Sequence, residues 1–399
     1  MGRYFIFLIA LIISSSAISQ SQGADNSKIP LSLAYTPEGL TFSALNTDFS
    51  TSLSGLIQAD AMKFERNNQD LSSGTNLRRA RLYLNGQLTS SWGYSFGYDF
   101  RTNDLLSAQA RYSGLKNMQF NAGQICPSFS ISNDSDAASL DTLEIPLPVS
   151  AFSPPYSYYV GAGYNVWNDF LTLKLSAFGP HSSQDTTGRT PIGGTARLVY
   201  SPIHTETKML NLGLSGWVER PDGSNSFTIS AVPEVKSHMS NTIVDSGTIS
   251  HVNSYGSVDA EMAAIYGPWS AQMEYLQMRV NRSNNNPNLK FSGYSLTGSY
   301  FLTGESLAYS FPDAYFGGDI DIHNKKLGAW EALVRYSTVN LNDADVYGGK
   351  ENNMTLGLNW YLNRHVEFLT NYVYAMANPG SNGKKENINS IVARIQLTF

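Results

Sequence analysis

The chain has 399 residues and one cysteine, Cys126. A disulfide framework is excluded, and so is a metal site built from several thiolates. It also has no apolar run near the roughly 20 residues that a membrane-spanning helix needs. The longest, from Tyr4 to Ile13, sits in "MGRYFIFLIALIISSSAIS" behind Arg3 and ahead of small residues. That pattern predicts a secretory leader over 1–19, cleaved before Gln20. Charged residues make up only 15%, and the net charge is -5, which moves to about -6 once Arg3 leaves with the leader. Such mild acidity gives no reason to expect a nucleic-acid partner. Gly348-Gly349-Lys350 lacks the strand and loop spacing of a phosphate-cradling nucleotide site, and nothing in the sequence calls for a cofactor or a metal.

What is present is 33 Gly, 23 Tyr and 19 Phe, a balance that favours strands and turns and predicts an all-β chain. Segments with a two-residue period recur to the last position: 53–65, 77–88, 91–101, 105–113, 117–124, 159–167, 170–179, 194–201, 209–219, 255–266, 269–280, 291–302, 329–338, 353–362, 366–375 and 389–399. Long polar connections (66–76, 125–158, 180–193, 220–254, 281–290, 339–352, 376–388) alternate with tight ones such as Thr89-Ser90 and Gly267-Pro268. Two connections break the alternation, a short one at 102–104 and a long one at 303–327. Long loops on one rim and short turns on the other describe a sixteen-stranded antiparallel transmembrane β-barrel.

"LRRARLYLNGQL" (77–88) shows why the barrel matters. Parity sets Ala80, Leu82, Leu84 and Leu88 on one face, with Arg79, Arg81, Tyr83, Asn85 and Gln87 on the other. Arg78 falls on the apolar face near the strand's beginning, where it must bend toward a polar boundary. In a barrel the polar face lines water, and the same parity brings Arg101, Arg111, Lys174, Arg197, Arg335 and Arg394 into the lumen, together with Asp60, Asp99, Asp259, Glu261, Glu274 and Glu331. A mid-membrane arginine on the lipid side would cost roughly 2 to 4 kcal/mol. Trp92, Tyr94, Tyr98, Phe100, Trp269, Tyr361, Tyr372 and Phe399 stand near strand ends, as interfacial girdles require. A soluble sandwich shows similar alternation, so a secreted β-rich binding protein stays open as an alternative.

Several stretches resemble the phosphate-selective porin O and P family of Gram-negative outer membranes: "PEGLTFSALNTDFSTSLSGLIQADA" (37–61), the RRAR strand, "LTGES" (302–306), "GAWEALVRYS" (328–337) and "GLNWYLNRHV" (357–366). The resemblance implies an outer-membrane porin, usually trimeric, inserted through a terminal strand ending here at Phe399. It also implies passive diffusion of ions and small hydrophilic solutes, with the third external loop folded into the lumen as a constriction. By position that loop is 125–158, with 220–254 as a competitor. The division expected is a leader, a periplasmic segment over 20–52 and a barrel over 53–399.

One departure stands out, because the phosphate-specific members carry basic residues in the constriction loop. Here no Lys or Arg lies between Lys116 and Lys174, whereas Asp134, Asp136, Asp141 and Glu144 are acidic. An acidic narrowing repels anions. A general or cation-preferring porin therefore stands beside the phosphate reading, and the resemblance of Glu144 in "LEIPLPVSAF" to a glutamate common in the family implies that it anchors the loop to wall arginines. Enzymatic activity is not expected: His181, His204, His238, His251, His323 and His365 all fall in loops or turns, away from any serine and acid on a wall strand.

Overall fold

The structure, a computed structural model, describes residues 30–65, 71–236 and 242–399. The expected leader and the segment through residue 29 lie outside them, as does His238. Sixteen antiparallel strands form the wall: Ser50–Phe64, Gly74–Gln87, Trp92–Asp99, Asp104–Tyr112, Met118–Ile125, Tyr159–Trp167, Leu171–Phe178, Ile192–His204, Lys208–Arg220, Val252–Tyr266, Trp269–Arg282, Leu289–Phe301, Ala329–Asp343, Val346–Asn363, Val366–Asn378 and Glu386–Thr398. The last pairs with the first, Arg394 opposite Asp60, so the sheet closes and its wall has no free edge. Leu212, Leu214, Val218, Val258, Met262, Leu296, Leu356, Leu358, Ile391 and Ile395 all point outward and are exposed. A belt of that extent belongs against hydrocarbon.

The sixteen segments read from periodicity all appear, with displaced ends. The tract 339–352 is not a long loop. Its strands run on to a two-residue tip at Ala344 and Asp345, where Ala344 takes a positive φ of 46°. Polar residues such as Asn340, Asn342 and Lys350 hide this hairpin from a hydropathy reading, because strands that project beyond the bilayer need no apolar outer face. The connection expected over 281–290 shrinks for the same reason to 283–288.

The N-terminal segment is also more ordered than its composition foretells. Leu31–Thr36 and Gly39–Ala44 form a hairpin that pairs with Leu53 to Ser50 of the first wall strand. It hangs from the short-turn rim, where the Tyr35 hydroxyl lies 3.4 Å from His365 Nδ1 and the Arg364 guanidinium lies 5.4 Å from the Tyr35 ring centroid. On the same rim the 302–328 connection, long where a short one is due, turns inward, buries Ala314 and packs Leu307 and Phe316 in one cluster with Ile131, Met209 and Ile265.

Girdle aromatics meet across strands, Trp92 with Tyr112 and Trp269 with Tyr300 in tilted pairs, and Trp330 stacked on Trp360. Tyr361 is not among them. Parity turns it inward, where it is buried and its hydroxyl donates to Glu331 at 2.7 Å, leaving the outward place to Trp360.

Candidate functional site in the barrel lumen

The segment 126–158 folds into the lumen rather than over it. After Met118–Ile125 it makes one helical turn, Ile131–Asp134, capped by the Ser130 hydroxyl accepting from Asn133 N at 3.2 Å. Pro146 and Pro148 then start Leu147–Phe152, as suits a first helical turn whose N–H groups have no helical partner. This second helix sinks Leu147, Val149 and Phe152 among Leu276, Met278, Phe291 and Val339, and the Phe152 carbonyl accepts from Trp217 Nε1 at 2.8 Å. Inward-facing apolar residues on those strands are therefore a seat for the loop. "LQMRV" (276–280) carries the signal, with Leu276, Met278 and Val280 buried inward while Gln277 and Arg279 look outward.

A polar clamp fixes the other side of the loop, and it begins with a β-bulge. Gln58 pairs with Arg79 while Ala59 pairs with Leu77, so Arg78 is the extra residue and turns inward with Arg79. Strict parity had put Arg78 on the apolar face. Inside, Arg78 grips Glu144 with two hydrogen bonds of 2.6 and 2.9 Å, a bidentate fork. Arg394 reaches the same carboxylate at 3.2 Å while forking onto Asp60 at 2.7 and 2.8 Å, and it also donates to the Leu143 carbonyl. Burial by itself would raise the Glu144 pKa, but the Arg78 guanidinium beside it holds the carboxyl well below the usual carboxylate range.

Arg335 donates to the Glu144 carbonyl at 2.8 Å and to the Thr142 hydroxyl, with Asp141 at 3.8 Å. Glu234 joins from the competing loop, accepting from Leu147 N, the Ser337 hydroxyl and the Thr355 hydroxyl. The two inward loops thus lock each other. Asp134 is held by Arg197 at 2.9 Å and Lys174 at 3.4 Å, and these cations keep its carboxyl below the ordinary value although burial acts the other way. Arg197, fully buried, also bonds Glu261 at 2.7 Å and the Ala314 carbonyl, which ties in the 302–328 segment.

The remaining positions differ. Arg81 pairs with Asp99 at 2.8 Å and keeps 16% of its side chain accessible. Arg79 donates to Gln58 at 2.6 Å, and its Nε has no partner. Arg111 is half-buried on the wall opposite Gly93. Arg101 is not a wall residue. Its strand stops at Asp99, and Arg101 is exposed in the tight loop on the long-loop rim. Asp136 is exposed and lines a vestibule of about 270 Å³ on the short-turn rim with Tyr83, Arg364 and Gln396. Cys126 is exposed where the loop begins.

Most lumen charge of either sign is buried: Asp259, Glu261, Glu274, Glu331 and Glu351 lie behind the loops, as do Arg197, Arg335 and Arg394, whereas Tyr83, Asn85, Gln109, Arg111 and Asn121, on strands between Gly74 and Ile125, stay half-open. Lys236, which periodicity has no means of marking because it lies in a loop, joins this open sector as the Asn76 amide donates to its carbonyl at 3.3 Å. Glu144 draws its pKa up, yet burial together with Arg78, Arg79 and Arg101 leaves it below the ordinary lysine value. The cations around it oppose the added charge of the ammonium.

Residues 52–399 match the model of the family described as phosphate-selective porin O and P. Porin O of Pseudomonas aeruginosa is 24% identical over 430 aligned positions, which cover 98% of this chain and 97% of that protein. Among solved structures, the trimer form of OmpT from Vibrio cholerae superposes with a TM-score of 0.58 at 10% identity, covering 88% of this chain and 99% of the other. The anion-selective porin of Comamonas acidovorans gives 0.54 at 13%, covering 88% and 100%. The likeness to these two structures is one of fold.

Proposed function

The chain belongs to the phosphate-selective porin O and P family and forms a water-filled channel across the bacterial outer membrane, and on that premise we propose that the channel prefers small inorganic anions, phosphate among them. The carrying observation is the sorting of charge. Arg78, Arg79, Arg81, Arg394 and Lys236 gather around Glu144, Asp60 and Asp99, and of these groups Arg78, Arg81 and Lys236 are half-buried while all three carboxylates are buried. Clustered guanidiniums offer an anion bidentate hydrogen bonds in place of its hydration shell. The acidity of loop 125–158 does not oppose this, since Asp134 and Glu144 are committed to wall cations and Asp141 faces Arg335.

A non-selective reading rests on exposed Asp136 at the short-turn vestibule, where it counters the cations further in. Assembly as a homotrimer is part of the proposal, supported by the trimeric form of the Vibrio neighbour. So are the periplasmic placement of the N-terminal hairpin, the constricting role of loop 125–158 and insertion through the strand ending at Phe399. Chloride current through single channels, recorded with graded phosphate, tests the preference. Phosphate should reduce the current, and Arg81→Gln with Lys236→Gln should weaken that block; a current indifferent to phosphate would contradict it.

A further inference from the structure

The outer face of the long-loop rim carries cations with no use in conduction. Arg279 and Lys290 sit directly opposite each other on Trp269–Arg282 and Leu289–Phe301, both pointing outward and exposed. Lys350 is also exposed and outward; it faces Asn340, which in turn neighbours Ser292, two residues along from Lys290. Like charges directly opposite on one sheet face repel. Nearby carboxylates do not answer them: Asp345 is taken by Arg282 at 2.5 Å, and Asp343 accepts from the Lys290 backbone N–H at 2.7 Å. Among the described residues the only side-chain bond from Arg279 is a long 3.4 Å one to Gln277. Between and around the cations lie outward amides and a hydroxyl, Gln277, Asn340, Asn352 and Ser292.

Their height is fixed by the girdle beneath. Tyr275 pairs with Tyr294, whose ring centroid is 6.0 Å from that of Tyr336, an aromatic row of the kind that marks a membrane interface. Arg279 and Lys290 are each four residues beyond this row, about 13 Å along a strand and about 10 Å along the membrane normal at a tilt near 40°. That is headgroup depth. We propose that Arg279, Lys290 and Lys350 form a docking surface for the phosphorylated saccharide headgroup of an outer-leaflet glycolipid. The cations take the phosphates and the neighbouring amides take sugar hydroxyls, which removes the repulsion that this arrangement otherwise carries. The surface is outside the lumen and does not depend on which ion the channel prefers.

The test is binding of a bisphosphorylated glycolipid and of its enzymatically dephosphorylated form to the purified folded porin in neutral detergent, read by native mass spectrometry. The wild type should favour the phosphorylated form at least about tenfold, as three cations at headgroup depth allow. The triple variant Arg279→Gln, Lys290→Gln, Lys350→Gln should lose that preference while keeping its single-channel conductance, because all three side chains point away from the lumen. Equal binding of the two glycolipids by the wild type overturns the proposal whether or not the variant folds, and so does a folded variant that keeps the full preference.

Discussion

Replacing Glu144 by Gln removes one charge and leaves the shape of the lumen. Glu144 accepts two hydrogen bonds from Arg78 and one from Arg394, with 13% and 6% of the Arg78 and Glu144 side chains accessible, so solvent screens the pair little. Breaking a buried pair from one side costs about 3 to 5 kcal/mol, and a retained amide oxygen with some lumen water near Arg78 brings this to about 2 to 3 kcal/mol. That cost falls on the loop's seat, because barrel closure rests on backbone pairing and the Leu147–Phe152 helix keeps its own apolar cluster. A shift of this size raises the population of detached loop about a hundredfold. Single-channel records should therefore show added current noise, and protease should nick 135–146 in folded protein. The same clamp has an acid limit. The Glu144 carboxyl is depressed in the folded state, so its contribution is complete above the unfolded-chain value of roughly 4.3 and is lost as pH falls through the lower folded value. Glu144→Gln channels as quiet and protease-resistant as the wild type, with an unchanged acid limit, would refute the clamp.

Other perturbations separate the parts of the site. Phe152→Ala empties a fully buried position in the loop's apolar seat and should cost about 3 to 4 kcal/mol, again read as loop release with the barrel intact; unchanged protease resistance would count against a hydrophobic seat. Lys236→Gln should lower anion preference without shifting thermal unfolding, since the residue is half-buried in a loop and makes no wall strand. Asp345→Asn removes a pair whose acid is 52% accessible, worth about 0.5 kcal/mol or less, so the unfolding midpoint should not move.

Periodicity made the wall legible because one face meets lipid and the other water, and that contrast survives in sixteen short segments. It failed where the contrast lapses. The 339–352 hairpin has a polar outer face, which meets no lipid, over an inner face that packs Val339, Leu341 and Val346 against the loop, and Tyr361 is one residue out of phase with the outward place that Trp360 takes. Arg78 was misplaced because a bulge resets parity at a single residue, and alternation assumes no such step. Glu144 is marked only by the family resemblance, since its partners lie 66 and 250 residues away in sequence. Lys236 and Glu234 had no signal at all, since a loop without period gives no direction to its side chains. The acidic composition of loop 125–158 misled for a related reason. Charge along a sequence carries no information about which charges are spent on partners.

The zero-current potential of the purified protein in a planar bilayer, under a KCl gradient at neutral pH, tests the central claim most directly. The half-buried cations of the open lumen, Arg81, Arg111 and Lys236, predict a potential of the sign that marks anion preference, diminished by Lys236→Gln. A potential of the opposite sign would mean that exposed carboxylates such as Asp136 govern passage, and the account of charge sorting would be wrong.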